Sequence, residues 1–413
     1  MPTAATGYTS LSQTSFDAML KELYPAGVPQ NVAMKRHPFM SMVRKVDDFE
    51  GDNLVIPIYY GNPGGRSATF GDAKDNTQSS RSAKWNLTQM SDYAVIQIEA
   101  LTIRSSRSNK GAFVNARKTE IDMMLKGLGN SAAHALYRDG FGYIGIVEGE
   151  PGTDTDFVLT DTDDARNFVV GQHIKWTSAS DGSGEIDGGD TREVTKVDES
   201  TGTITVASAI DVTIAATHYI WAVGDNDTTG AATKMTGLAG WIPLTTPAGG
   251  DSFFGVNRSV HANRLAGQRL NATGNSIEEN ILTISEDIVR QGGAPEKCFI
   301  SHGNFSNLVK GLGTKVEYNG AGGKADVGFG GVQIHTSAGP VMVHPDPDCP
   351  SNRGYVLQMD TWQLHHLDGF PHIDTIDGNN SQRLVSSDGV QIRARYWAQL
   401  ACIAPAWNGV FAI

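Results

Sequence analysis

The sequence predicts an α+β chain, a charge-balanced scaffold carrying a separate, acidic, all-β module. Three observations point to it. Residues 141–234 hold 17 Asp and Glu against 5 Lys and Arg, a net of −12. The whole chain has 45 acidic and 33 basic residues, also −12, so everything outside that block balances. Outside it, two segments carry apolar stripes of helical period, and the tail alternates with the period of a strand. At 413 residues the chain exceeds one compact core, and two or three domains of roughly 100–200 residues are expected.

The elements follow in order. Residues 1–48 mix a short amphipathic piece (Phe16, Met19, Leu20, Leu23) with turn-prone sequence and read as an arm that needs a partner surface. Residues 54–60 read as a strand, with Pro57 placing it at an edge. Residues 85–103 read as the next strand, with Ala94, Ile96, Ile98 and Ala100 on one face and Tyr93, Gln97 and Glu99 on the other. The polar run 61–84 between them is too long for an ordinary turn and reads as a protruding loop. Residues 111–139 give the longest helix, with Ile121, Leu125, Leu128, Ala132 and Leu136 on one face. It would span roughly 40 Å. Gly127 and Gly129 inside it suggest a close approach or a bend, and Gly140 a stop. The acidic block shows short strands split by Gly and Asp turns, as in a small barrel or sandwich. Residues 276–291 form a helix with a Ser276/Glu279 capping box and a stripe of Ile277, Ile281, Ile284 and Ile288, ended by Gly292, Gly293 and Pro295. Strands follow at 298–300, 331–335, 341–343, 355–357 and 362–366. In the last strand Val390, Ile392, Ala394, Tyr396, Ala398, Leu400 and Cys402 face inward and Gln391, Arg393, Arg395 and Gln399 outward.

Composition excludes several classes. The 47 glycines are spread rather than periodic, which means turns and not a collagen-like rod. Three cysteines, Cys298, Cys349 and Cys402, make no disulfide framework and fit a reducing compartment. No apolar run is long enough to span a membrane, and the N-terminus lacks the regions of a secretory signal. The chain opens at Met1, and no cleaved pro-segment is expected. The acidic balance argues against a dedicated nucleic-acid binder.

Catalytic motifs are absent: no P-loop, dinucleotide fingerprint, HExxH or CxxC. Ser301-His302 has no motif-placed Asp to orient it, so a structural role is expected. His344, Asp346, Asp348 and Cys349 could suggest metal ligands, but Pro345, Pro347 and Pro350 interleave them and a rigid surface loop is expected. His365 and His366 point to opposite faces of a strand. Asp161, Asp163 and Asp164 lack the Gly and Glu of a calcium loop and read as solvated turn carboxylates. No catalytic, cofactor or metal site is expected. The scattered bases Arg66, Lys74, Arg81, Lys84, Arg104 and Arg107 suit contacts to a neighbouring chain better than to nucleic acid.

The order of elements, with the stretches GLAGWI (237–242), FGVNR (254–258), GVQI (331–334), VMVHPDP (341–347), GYVLQMD (354–360), Trp362, RYWAQLA (395–401) and Pro405, resembles the major capsid proteins of tailed bacteriophages, whose fold is shared with encapsulin shells. The resemblance covers nearly all of the chain outside the acidic block. It implies an N-terminal arm (1–48), an extended β-hairpin loop (49–108), a spine helix of the peripheral domain (109–141), an inserted acidic β domain (142–235), and peripheral and axial domains with a C-terminal β tail (236–413). It further implies a self-assembling shell of pentamers and hexamers around double-stranded DNA, touched non-specifically. Separate scaffolding and portal proteins, and a decoration protein, would be partners. The shell would form in the host bacterial cytoplasm and end as the virion capsid, with no membrane and no cofactor. Two features of some members are missing: a charged N-terminal scaffolding segment and an identifiable Lys–Asn cross-linking pair. Arg66, Arg81, Lys84, Trp85, Arg104 and Arg107 are the expected assembly contacts. The alternatives are an encapsulin-type compartment and, from another class, a hydrolase with a β accessory domain.

Overall fold

The computed structural model describes residues 37–49, 51, 53–105, 116–149, 154–210, 214–271, 274–312, 332–374, 381–384 and 387–413. The described residues form two units: those within 91–132 and 366–397 make one, and those within 37–90, 133–365 and 398–413 the other. The architecture is mixed α+β, as expected.

The first unit holds most of the strand Met90–Glu99, the short helix Ala100–Ser105 and the greater part of the helix Ala116–Ala135. The expected single strand over 85–103 is therefore two strands and a helical turn. The break is marked in the sequence: the apolar face lies on odd positions before it (Trp85, Leu87) and on even positions after it (Ala94, Ile96, Ile98). At the break the Gln89 side chain donates to Phe49 O at 3.0 Å. Ser131 Oγ donates to Asp92 Oδ2 at 2.7 Å, which ties the helix to the strand. Arg395, expected to face outward, is buried. Its guanidinium lies 3.9 Å from the centroid of Trp397 and pairs with Asp374 at 3.0 Å, so charge and ring cover it together.

The long helix buries Leu128 and Ala132, and Leu136 follows just beyond its end. Its expected start lies in residues 106–115, outside the described residues. Its last turn tightens, Tyr137 N bonding to His134 O and Arg138 N to Ala135 O, and Gly140 turns the chain away at φ 101°. Among the described residues nothing lies within 4 Å of a Cβ added at Gly127 or Gly129, so no close approach to either glycine occurs among them. Gly237 does: a Cβ there would meet Leu136 O at 2.2 Å.

In the second unit the acidic block folds as a six-stranded sheet. Its strands run in the order Gly145–Ile146, Tyr219–Ala222, His173–Thr177, Arg192–Asp198, Thr203–Val206 and Asp156–Val158. Glu148 N bonds to Val158 O and Thr160 N to Ile146 O, both at 2.8 Å, which joins the last strand to the first and closes a barrel. Phe157, Trp176, Val194, Ile204 and Ile220 fill it with a core of its own. Its two connections run side by side, with Thr233 N and Lys234 N both bonded to Gly140 O.

A second six-stranded sheet orders Gln268–Leu270, Gly409–Ala412, Arg353–Leu357, Lys297–Ile300, Gly339–Pro345 and Val332–Thr336, with two parallel pairings and three antiparallel. The helix Ile277–Arg290 lies against it through Ile281, Ile284 and Ile288. Its capping box forms as read, Ser276 Oγ accepting from Glu279 N and Glu279 reaching back to Ser276 N. Asn280 Nδ2 donates to Ala412 O at 3.0 Å, which satisfies a donor that would otherwise be orphaned. Gln399, also expected outward, is buried and accepts from Thr236 N at 3.3 Å. All three cysteines are buried, and burial pushes their thiols up.

Candidate assembly surfaces

The strands Asn53–Gly61 and Arg81–Thr88 pair antiparallel as a long hairpin. Register sorts its two faces. Leu54 opposite Leu87, Ile56 opposite Trp85 and Ile58 opposite Ala83 make an apolar face. At the base that face is anchored: Trp85 is fully buried and meets Trp241 edge-on at 5.2 Å. Trp241 in turn touches Phe253 at 5.0 Å and Phe254 at 5.7 Å, and Asn86 N donates to Phe254 O. Arg264 Nη1 donates to Tyr60 O at 2.6 Å and props the strand. The opposite face carries Val55, Pro57 and Tyr59 beside Asn86, Lys84 and Ser82. Tyr59 is 76% exposed, and Phe70, on the tip helix Phe70–Asp75, is 86% exposed. A groove of about 480 Å³ opens beside the hairpin, lined by Ile58, Tyr60, Arg264, Arg290, Ile403 and Trp407.

Arg66, Arg81 and Lys84 are exposed on this hairpin, and they make no ion pair among the described residues. Arg104 is exposed on the short helix Ala100–Ser105 of the other unit. Arg107 lies outside the described residues. Trp85 supports the hairpin from within its own chain and presents no surface to a neighbour. Val55, Tyr59 and Phe70 add exposed apolar surface to the same hairpin; in the sequence the first two belong to an unbroken apolar run over 54–60, which puts apolar residues on both faces of a strand.

The expected surface loop at 344–350 is not on the surface. Asp346, Asp348 and Cys349 are buried. Asp346 Oδ2 accepts from Phe39 N at 3.0 Å, and Asp348 Oδ2 lies 2.5 Å from His37 Nδ1. Burial and neighbouring Asp348 push the Asp346 carboxyl above its ordinary range. These acids thus receive residues 37–39, at the near end of the arm. Among the described residues no group of three or more His, Cys, Asp or Glu could hold a metal ion. Ser301 Oγ accepts from Asn304 N at 3.3 Å, the hydrogen bond of a helix cap. Asp161 and Asp164 are not both solvated. Asp161 caps the short helix Thr162–Asn167, and Asp164 is buried against Arg138. Burial raises the Asp164 carboxyl to about 6, with Arg138 pulling the other way. His365 is buried and lies 2.5 Å from Asp48 Oδ1. No helix among the described residues is long and apolar enough to cross a membrane.

The structure is similar to the cyanophage A-1(L) capsid asymmetric unit at 12% identity, covering 94% of this chain and 96% of that one, with a TM-score of 0.53. It is also similar to a Mycobacterium phage Ogopogo chain, at 10% identity, 98% and 99% coverage and a TM-score of 0.46. The holo-SrpI encapsulin complex of Synechococcus elongatus PCC 7942 matches at 6% identity, 98% and 95% coverage and a TM-score of 0.46. No curated protein sequence matches the chain. A family model described as SU10 major capsid protein matches residues 215–385. The matched stretch is less than half of the chain, and the fold it lies in is the one seen in the cyanophage capsid.

Proposed function

We propose that the chain assembles through its hairpin into pentamers and hexamers of an icosahedral shell enclosing double-stranded DNA. The observation that carries this is the hairpin of Asn53–Gly61 and Arg81–Thr88: rigid at its base and, among the described residues, unpartnered on its outer face and tip. Such a surface is costly to a lone subunit and useful to a repeating one. A shell repeats each heterologous contact with rotational closure. Each exposed charge pair contributes only about 0–1 kcal/mol, whereas burying Tyr59 or Phe70 adds about 1.5–3 kcal/mol apiece. Arg66, Arg81 and Lys84 then orient the contact, Arg104 serves a second one, and Tyr59 and Phe70 hold the hairpin in place. The arm of residues 1–48, the extended loop 49–108, the spine helix 109–141 and the remainder 236–413 are the working parts of the subunit. Residues 142–235 are an inserted domain on the outer surface. Separate scaffolding, portal and decoration proteins complete the particle, which is built in the host cytoplasm around DNA held by non-specific contact.

Negative-stain microscopy of the purified chain tests the reading. Uniform hollow particles are expected. The double variant Arg81→Glu, Lys84→Glu should lower particle yield while the melting temperature of the subunit stays put. Monodisperse small particles from the wild type, or undiminished assembly of the variant at low and high salt, would refute it.

A further inference from the structure

Tyr137 and Arg138 are consecutive, just past the end of the long helix, and they serve different partners. The Tyr137 ring packs 5.5 Å from Phe39 in the arm root, and burial together with Asp346 pushes its hydroxyl well above the ordinary range. Arg138 pairs with Asp164 of the barrel, donates from Nε to His134 Nε2 at 3.0 Å, and stands 5.6 Å over the Tyr143 ring. The barrel has a second foothold. Asp161 accepts from Asp163 N at 3.1 Å with one oxygen and from Ser351 N at 2.8 Å with the other. Ser351 O in turn accepts from Asn304 Nδ2 at 2.6 Å. Ser351 lies immediately beyond the loop whose Asp346 and Asp348 hold Phe39 N and His37. One short stretch, residues 344–353, therefore receives the arm root from one side and the barrel from the other, backed by Tyr137 and Arg138.

We propose that residues 344–353, together with Tyr137 and Arg138, couple the seating of the arm root to the seating of the barrel, so that a contact ordering one shifts the other. The junction is close-packed, and such interiors pass displacement on rather than absorb it. Two buried carboxylates lie side by side within it, Asp348 N donating to Asp346 Oδ1 at 3.0 Å. Coupling of this kind is reciprocal: the barrel must act on the arm root as strongly as the arm root acts on the barrel. The inference concerns the single chain and does not rest on the shell reading.

Amide hydrogen exchange of the full-length, unassembled subunit tests it. His37→Ala should speed exchange about fivefold in the peptide covering 156–168, and Asp161→Ala should do the same for residues 38–45. The barrel strands His173–Thr177 and Tyr219–Ala222 should keep wild-type rates in both. In the double variant each peptide should gain less than the product of the two single effects. Effects confined to the mutated side, a double variant equal to the product, or faster exchange across the whole barrel would each overturn the coupling. Should either alanine chain fail to fold, His37→Asn and Asp161→Asn carry the same comparison.

Discussion

Asp164 sits at about 6 because burial outweighs the attraction of Arg138. A carboxyl whose pKa is raised on folding binds its proton more tightly in the native chain than in the unfolded one. Its ionised form is thus a cost, fully present above 6 and relieved as the pH falls through 6 toward the unfolded value of 3.8. Protonation of Asp164 should therefore stabilise the folded chain, opposite to the usual expectation for a salt-bridged acid. Urea midpoints of wild type and Asp164→Asn should show it. The wild type should gain roughly 1–3 kcal/mol on the variant between about pH 8 and about pH 4.5. A difference that stays flat, or shrinks in acid, would remove the argument. Residues of this kind were poorly legible in the sequence. Asp161, Asp163 and Asp164 look like ordinary turn acids, and only Arg138 arriving from the long helix buries one of them. Asp346 and Asp348 deceive for the same reason. Their Pro-rich setting reads as surface, and the Phe39 N–H that satisfies Asp346 comes from 307 positions away. Arg395 and Gln399 were misplaced because alternation assigns a face and not the partner lying on it.

At the scale of elements, what was legible was local. The capping box of Ile277–Arg290 and its isoleucine stripe depend on residues three and four apart, and both form as read. The hairpin was visible as two strands around a polar run, and the division at Gln89 as a change of parity in the apolar positions, but the register depends on cross-strand partners no single segment encodes. The arm gives the clearest test. Residues 1–48 were read as one arm, yet Pro38–Met42 is a helical turn whose Phe39 is fully buried, 5.3 Å from Phe299 and 6.4 Å from Trp362. Phe39→Ala should lower subunit stability by about 3–5 kcal/mol, as for a buried phenylalanine removed from a core. Thermal or urea unfolding of wild type and variant decides it. Equal stability would mean that Phe39 is not structural.

At the scale of the whole molecule, the charge separation seen in the sequence coincides with a physical boundary. The block that holds the excess acid closes into a barrel around its own core, joined to the rest by paired connections at Gly140 and Thr233. A closed sheet has no free edge to pair wrongly. The fragment 142–235 should therefore fold alone, with a cooperative melt in circular dichroism. A non-cooperative or unfolded fragment would show that Arg138 and Ser351 are needed to shape the barrel. Its 12 excess negative charges would repel packaged phosphates if it faced inward, and outside they would keep particles apart. The sequence could announce this module because charge and composition are additive along the chain. It could not announce closure, which depends on Glu148 meeting Val158.

The three cysteines all lie inside the fold, with their thiols pushed up by burial. Maleimides attack thiolates on accessible sulfur, so the native subunit is a blank for such reagents. One cysteine introduced at an exposed turn, Val170→Cys on the barrel for instance, becomes a unique attachment point for a dye, a spin label or a gold cluster. Any particle assembled from it carries one reporter per subunit. Copy number can then be read from brightness or electron density, subunit by subunit.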